Sequence, residues 1–333
     1  MARINGNFAQ RNQPFASVDT APLGGQRFII SVDTEEEFDW DAPFQRSGHT
    51  TETVPKLERF QAFVEKFGVK PIYFVDYSII EDDAAVEFLR DVLRRDVADV
   101  GVHLHPWVNP PFDEKVNEFN SFAGNLPKEL ERQKIINLLE RIIDRTGYRP
   151  TVYRAGRYGI GPNTVAILIE LGFAIDSSVR ARFDYRHGGG PDFRNFGSQP
   201  LLLDAPARLI ELPLTTVFSG MLRKIGGMVP KGPSPLTALL ARSGLLQQIP
   251  LTPEGVSIRE VREAIDIALD DGLDLLVFSF HSPSLMPGNT PYVKTEAELD
   301  RFYGWWRETL AHLANRGVKP LGMVAAGEAL RRR

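Results

Sequence analysis

Short apolar runs alternate along the chain with longer segments whose apolar residues recur every three or four positions. Continuous apolar runs between polar residues predict buried strands, and a period near 3.6 predicts amphipathic helices. The runs are RFIISVD (27–33), KPIYFVD (70–76), DVGVHLH (99–105), TVYRAG (151–156), GFAIDSS (172–178), LIELPL (209–214), LDLLVFSFH (273–281) and a weaker VKPLGMV (318–324). The pattern therefore predicts strands that alternate with helices.

The clearest helical segment places Val54, Leu57, Phe60 and Val64 on one face. Gly68 follows this segment, and glycine is the residue that most often ends a helix because it adopts a left-handed conformation without strain. We therefore expect an amphipathic helix that begins near Val54 and ends before Gly68.

Other helices carry signals of their own. Residues 130–143 repeat the amphipathic pattern. The pairs Ser257 with Glu260 and Thr295 with Glu298 have the spacing of capping boxes, in which each side chain accepts a hydrogen bond from the backbone of the other residue. These pairs predict two helix starts in the last third of the chain.

Strand–helix alternation with buried strands predicts a parallel sheet in one α/β domain over residues 27–333. Seven or eight units favour a closed barrel over an open doubly wound sheet, which stays as the alternative, and no G-x-G-x-x-G motif follows the first strand. Two long irregular stretches, residues 179–208 and 217–256, are expected to lie over the active face. Residues 1–26 are polar and predict a flexible tail.

Composition narrows the possible partners. The 333 residues carry a net charge of −4 with no long Lys/Arg block, which makes nucleic acid and anionic membranes poor partners. The chain has no cysteine, no stretch of signal-peptide type and no apolar run of about 20 residues that could span a membrane. We expect a cytoplasmic protein; its oligomeric state stays open.

Residues with metal-binding chemistry collect where the predicted strands end. His103 and His105 are separated by one residue, and so are Asp33 and Glu35. Side chains at i and i+2 of a strand point the same way, so each pair presents two ligands to one side. Imidazoles and carboxylates are ligands for Zn²⁺ and similar divalent ions. The spacing predicts a divalent metal site at this end of the sheet.

The metal would also explain an acidic run, DTEEEFDWD, that follows the first strand. Two carboxylates 4 Å apart repel each other by about 1 to 4 kcal/mol, depending on the local dielectric, and a cation offsets this repulsion. The metal needs only one or two of the acids. Glu36, Glu37, Asp39 and Asp41 are interpreted as solvated loop residues.

Four short motifs in order resemble those of a known family. SVDTEEEFDW, GVHLHPW, YRAGRYG and FSFHSPSL are similar to motifs of the polysaccharide deacetylases of the NodB-homology class, carbohydrate esterase family 4, and most of all to the WalW-type subgroup. The resemblance covers residues 27–333. It implies a distorted (β/α)₇-type barrel and metal-dependent removal of an N-acetyl group from a sugar or glycan precursor.

The resemblance also implies roles for individual residues. Asp33 matches the general base, and Glu35, His103 and His105 match the ligands of a divalent metal, for which Zn²⁺ is expected. The family usually spaces the two histidines H-x-x-x-H, whereas this chain has H-x-H.

The later motifs imply the remaining roles. Arg154 matches the residue that orients the base, and His281 matches the general acid, with Asp176 as the acid that positions it. A backbone N–H near Tyr158 is expected to hold the oxyanion, although Tyr158 lies one residue further on than the usual Arg-Pro-Pro-Tyr spacing. Substrate contacts are expected from Arg157, Tyr158 and Trp107.

Three functions follow from these observations. The first is hydrolysis of the linear amide of an N-acetylated sugar. The second is hydrolysis of a small cyclic amide or imide on a similar barrel. The third is a non-catalytic carbohydrate-binding protein whose metal site has decayed.

Overall fold

The computed structural model describes residues 15–40, 42–206, 209–223 and 245–331. Its strands, in chain order, are β1 (Ala16–Ser17), β2 (Arg27–Thr34), β3 (Ile72–Val75), β4 (Asp99–Leu104), β5 (Val152–Ala155), β6 (Ile175–Asp176), β7 (Leu201–Asp204), β8 (Leu209–Glu211), β9 (Thr216–Ser219), β10 (Gln247–Pro250), β11 (Leu275–His281) and β12 (Lys319–Pro320).

Eight α-helices lie within the described residues. They are α1 (Val54–Glu65), α2 (Tyr77–Glu81), α3 (Asp83–Arg94), α4 (Lys128–Thr146), α5 (Thr164–Glu170), α6 (Ile258–Asp270), α7 (Glu296–Asn315) and α8 (Met323–Arg331). None of the helices in this part of the chain is long and apolar enough to cross a bilayer.

Among the described residues, seven strands form a continuous parallel series in the sheet, and the short β12 pairs with β2 outside this series. Their order is β8-β6-β5-β4-β3-β2-β11, so the last long strand pairs with the first. Two loop residues, Thr215 and Leu251, bridge the gap between β8 and β11. The N–H of Thr215 donates to the carbonyl of Val277 (3.1 Å), and the carbonyl of Leu251 accepts the N–H of Ser279 (3.2 Å). This arrangement is a distorted (β/α)₇-type barrel, so that prediction is confirmed and the open sheet is excluded.

Strand register decides which side chains meet at the carboxyl ends of the strands. β11 pairs with β2 so that His281 lies opposite Asp33. β4 pairs with β5 so that His103 lies opposite Arg154. Because paired residues of neighbouring strands point to the same side of a sheet, these two register pairs bring four predicted site residues to one end of the barrel.

The predicted helix signals are confirmed. Val54, Leu57, Phe60 and Val64 are buried on α1, and Gly68 follows with a φ of 67°. Both capping boxes form at the starts of α6 and α7. These features depend on near neighbours in the sequence, and therefore local patterns predicted them.

Residues 15–26 differ from the expected loose tail, whose first 14 residues lie outside the described residues. Ala16 and Ser17 pair with Leu202 and Leu201, and Leu23 is buried. A short strand and one buried apolar side chain thus hold this part against the sheet.

Candidate active site and metal centre

Asp33 is buried at the end of β2 and is held by Arg154. Nη1 of Arg154 donates to Oδ1 of Asp33, and the same nitrogen donates to the Ser31 hydroxyl at 3.0 Å. The other guanidinium nitrogens donate to the carbonyl (2.9 Å) and the hydroxyl (3.0 Å) of Ser177. Arg154 is therefore fixed on several sides, and it fixes one oxygen of Asp33 in turn.

Glu35, His103 and His105 converge beside this pair. Oε2 of Glu35 lies 3.4 Å from Nε2 of His103 and 3.4 Å from Nε2 of His105. All three side chains are buried, and their ligand atoms lie within 4.8 Å of one another. The structure thus brings together the three predicted metal ligands, despite the H-x-H spacing.

Each histidine is oriented by a hydrogen bond from its other ring nitrogen. Nδ1 of His103 donates to the carbonyl of Arg154 at 3.2 Å. Nδ1 of His105 donates to Oε2 of Glu36 at 3.0 Å. Such contacts fix the tautomer and leave Nε2 as the metal-binding atom. Both Nε2 atoms face Glu35, as a metal centre requires.

Burial and neighbouring charges shift the pKa values of His103, His105 and Glu35. Burial lowers the pKa of His103. Burial opposes a charge on His105 as well, yet the carboxylates of Glu36 and Glu35 raise its pKa well above the ordinary value. Although burial alone would raise the pKa of Glu35, His281 and the two histidines hold it well below its usual range. A cation at this place would meet an ionised carboxylate and would displace a proton from His105.

Glu36 corrects the interpretation of the acidic run. It is fully buried and accepts hydrogen bonds from His105 and from the indole N–H of Trp107 at 2.8 Å. Its own backbone N–H donates to Asp76 at 3.1 Å, and Oδ2 of Asp76 lies 3.7 Å from Nδ1 of His105. Glu36 is thus a buried partner of the candidate metal ligand His105 and not a solvated loop residue.

Glu37 is also buried, for a different reason. Its carboxylate accepts the N–H groups of Glu52 (2.8 Å) and Thr53 (2.9 Å), at the N-terminus of α1. A carboxylate is favoured there because the first N–H groups of a helix lack partners within the helix. Asp39 is exposed, as expected, and Asp41 lies outside the described residues.

His281 faces Asp33 and is positioned by Glu254. Nε2 of His281 lies 3.9 Å from Oδ2 of Asp33, while Nδ1 donates to Oε2 of Glu254 at 2.8 Å. Glu254 also accepts the His281 backbone N–H (3.1 Å) and the Ser284 hydroxyl (2.6 Å). Burial disfavours the charged imidazolium, but the charges of Glu254, Glu35 and Asp33 outweigh it and raise the pKa of His281 to about 9.

The position of Asp176 requires a correction, because Glu254 makes the contact with His281 that was expected of Asp176. Asp176 is buried on β6, where it accepts from the Ser178 hydroxyl at 2.5 Å and lies in register with Glu211 of β8. Periodicity could not reveal Glu254, since it lies in an irregular stretch. One signal was present: Glu254 is the only acidic residue between Leu212 and Arg259.

A cavity of 280 Å³ opens onto these groups. Its lining includes the candidate metal ligands Glu35, His103 and His105, together with Asp33 and His281. Aromatic and cationic side chains complete the walls, namely Phe38, Trp40, Phe44, Trp107, Arg157, Tyr158, Arg180, Tyr185 and Tyr292. Arg157, Tyr158 and Trp107 therefore lie where substrate contacts were predicted. The described parts of both irregular stretches also contribute, through Arg180 and Glu254.

Arg157 and Tyr158 adopt backbone conformations with φ of 54° and 59°. Left-handed conformations cost a non-glycine residue about 1–2 kcal/mol. Such strain often occurs at active sites, where surrounding contacts maintain it. Here Arg157 packs over Phe122 (4.2 Å) and donates to the Ser121 hydroxyl, contacts that hold the turn against the cavity.

Comparison with solved structures supports the fold. The chain is similar to a candidate polysaccharide deacetylase from Mycobacterium smegmatis, with 18% identity over 96% of this chain and 94% of that chain and a TM-score of 0.53. It is also similar to a candidate polysaccharide deacetylase from Pseudomonas aeruginosa, with 14% identity over 92% of this chain and 91% of that chain and a TM-score of 0.50. A third similar structure is a candidate glycoside hydrolase/deacetylase from Parabacteroides distasonis, with 14% identity over 95% of this chain and 71% of that chain and a TM-score of 0.58. No family model and no curated protein matches the sequence. At these identities the likeness establishes the fold.

Proposed function

We propose that this protein is a metal-dependent hydrolase that removes an N-acetyl group from a sugar or glycan precursor. The observation that carries the proposal is the position of Asp33 and His281, 3.9 Å apart on paired strands beside the trio Glu35, His103 and His105. A base and an acid next to a metal-ligand set are the groups that hydrolysis of an unactivated amide requires.

The donor set fits a divalent ion, and Zn²⁺ in particular. Two imidazole nitrogens and one carboxylate oxygen match the three protein ligands of many catalytic zinc sites, which leave one position for water or substrate. An ion bound there supplies an activated water and polarises a carbonyl oxygen. Glu36 and the Arg154 carbonyl orient the two histidine ligands.

Asp33 is assigned as the general base. Arg154 occupies Oδ1, and Oδ2 faces His281 and the cavity. Oδ2 can therefore accept the proton of a water that attacks the acetyl carbonyl. Arg154 restricts rotation of the carboxylate, so that the accepting oxygen is already placed before substrate arrives.

His281 is assigned as the general acid. An amine departs poorly as an anion, so its nitrogen must receive a proton as the C–N bond breaks. The raised pKa of His281 keeps the imidazole protonated near neutral pH. Glu254 holds Nδ1, which leaves the N–H at Nε2 as the proton that is donated.

The test compares Asp33→Asn and His281→Ala on an N-acetylated sugar and on an activated acetate ester. We expect each variant to lose about 10²- to 10⁴-fold in amide turnover. The ester has a good leaving group, so His281→Ala should keep much of its ester activity, whereas Asp33→Asn should lose activity on both substrates.

Matched controls come from a second Asp–His pair far from the cavity. Nε2 of His312 lies 2.9 Å from Oδ1 of Asp266 on the outer helices, so Asp266→Asn and His312→Ala should leave turnover unchanged. Equal losses of His281→Ala on ester and amide would refute the acid assignment. Zinc content after purification without chelator tests the metal centre, and a panel of cyclic imides tests the alternative substrate class.

A further inference from the structure

Four arginines lie in the stretch that follows β6, and two of them are neutralised by neighbours. Arg186 pairs with Asp184 at 2.9 Å, and Arg194 pairs with Asp192 at 2.7 Å. Both pairs lie within the loop itself. Their charges are therefore already compensated and are poor candidates for binding a ligand.

Arg180 differs from these two. It lines the cavity, and no carboxylate of the described residues lies within ion-pair distance of its guanidinium. The guanidinium instead lies over the ring of Phe183 (3.9 Å) and near that of Tyr158 (5.4 Å). One nitrogen donates to the Tyr185 hydroxyl at 3.3 Å. Aromatic faces attract the cation without using its N–H donors.

The position of Arg180 is well fixed. Its backbone forms a bridge to Leu214, just beyond β8. A guanidinium has five N–H donors in a planar fork that matches the oxygens of a carboxylate or a phosphate. With one donor used by Tyr185, most of the fork stays available to a ligand in the cavity.

The carboxylates that line the cavity do not compete for this charge. Asp33 is bonded to Arg154, Glu254 to His281, and Glu35 lies between the two histidines. Arg157 adds a second cation to the wall, but Glu118 lies 3.6 Å from it. Arg180 is thus the cavity cation with the least compensated charge among the described residues.

We propose that Arg180 binds an anionic group of the substrate, a carboxylate or a phosphate, so that the substrate is a small acidic N-acetyl sugar and not a neutral one. The cavity of 280 Å³ lies just below the about 300–1,000 Å³ usual for small-molecule sites, which favours a small ligand. The identity of the substrate rests on the proposed function, whereas the anion site does not.

The first experiment measures anion binding without catalysis. Inorganic phosphate and acetate are titrated calorimetrically into protein freed of metal by chelation and dialysis. Arg180→Gln should weaken binding by about 10- to 100-fold, as expected for loss of a hydrogen-bonded charge pair. Arg180→Lys should retain part of the affinity, and the matched control Arg186→Gln should retain all of it. Equal affinity in Arg180→Gln and wild type, or no anion binding by wild type, overturns the proposal.

The second experiment measures kcat/KM with N-acetylglucosamine, its 6-phosphate and N-acetylmuramic acid. Wild type should prefer one of the two acidic sugars over the neutral one by at least about 10-fold, and Arg180→Gln should abolish that preference. N-acetylmuramic acid carries a carboxylate and the 6-phosphate carries a phosphate, so a comparison of these two sugars shows which anion is recognised. An equal or greater preference for the neutral sugar overturns the acidic-substrate assignment. Loss of anion binding in Arg180→Gln with no turnover of any sugar upholds the anion site and refutes the proposed function.

Discussion

Two groups of buried carboxylates at the carboxyl ends of the strands differ in the side chains that face them. Glu36 and Glu254 each face a histidine, His105 at 3.0 Å and His281 at 2.8 Å. Asp176 and Glu211 lie in register on β6 and β8 and face each other. Glu36, Asp176 and Glu211 are fully buried and the Glu254 side chain is only 6% exposed, so the main difference lies in the neighbour.

The neighbour decides the charge state. Although burial opposes ionisation of Glu36, the His105 charge and hydrogen bonds hold its pKa below the usual value. Burial raises the pKa of Asp176 to about 6, and burial together with the Asp176 charge raises the pKa of Glu211 well above its ordinary value. Glu36, held by the charge of His105, is thus an ion that orients a ring, whereas the Asp176–Glu211 pair retains a proton.

The largest expected effect is on turnover, and it follows from a change of Glu254, one of the two acids that face a histidine. Glu254→Gln should reduce amide turnover by about 10²-fold, the lower range for loss of a general acid. It should also move the basic limb of the pH–rate profile to lower pH. His281 must be protonated to act, and its pKa of about 9 falls once the Glu254 charge is removed.

Glu211→Gln is the matched control for that change. It removes a carboxyl group at the same end of the barrel and should leave the basic limb in place. If Glu254→Gln leaves the limb unchanged, Glu254 has only a structural role, and the contrast between the two groups loses its functional meaning.

A smaller effect is expected on metal affinity. Glu36→Gln keeps an oxygen that can accept from Trp107 and His105 but removes the charge that orients and polarises the ring. Loss of such an outer partner weakens metal binding by about 10- to 100-fold. Competition with a chromophoric zinc chelator measures the affinity, and Glu211→Gln should match wild type. An unchanged zinc affinity in Glu36→Gln would contradict the outer-partner assignment.

The smallest effect is on the free energy of unfolding, and it concerns Asp176, one of the two acids that face each other. Since the pKa of Asp176 in the folded state, about 6, exceeds the ordinary value near 4, the unfolded state releases the proton first. The contribution of Asp176 to the stability of wild type therefore falls by up to about 3 kcal/mol as the pH rises from about 4 to about 6. Asn does not titrate and can still accept from Ser178.

Asp176→Asn should consequently gain stability relative to wild type at pH 8 and gain little at pH 4. Urea unfolding at both pH values measures the difference. A variant that is less stable than wild type at pH 8 would show that Asp176 is held as an ion and that the two groups are alike.

Much of the site could be predicted because its spacing is local. His103 with His105, and Asp33 with Glu35, are i, i+2 pairs on strand ends, and alternation of side chains places each pair on one side. Arg154 and His281 close other parallel strands, whose carboxyl ends meet at one end of a barrel. Their place at this end required only the strand assignments and their order, whereas the roles of Asp33, Arg154 and His281 came from the family resemblance.

Glu36 and Glu254 could not be assigned in the same way. Glu36 follows Glu35 directly, and its charge suggested solvent until Trp107 and His105 were found around it. Glu254 lies in an irregular stretch whose path depends on its packing against β11. The expected partner of His281, Asp176, was closer to the pattern of a strand end, yet the barrel directs it toward Glu211.

The sequence by itself determined the alternation of strands and helices, the helix ends, the capping boxes and the residue types at the strand ends, because these depend on neighbours a few positions apart. Only the tertiary structure decided which acid faces which base, that Arg180 lines the cavity with no carboxylate of the described residues within ion-pair distance, and that β8 and β11 are bridged by loop residues. Those outcomes depend on chain segments that are distant in sequence, and their relative positions are set by packing and not by local periodicity.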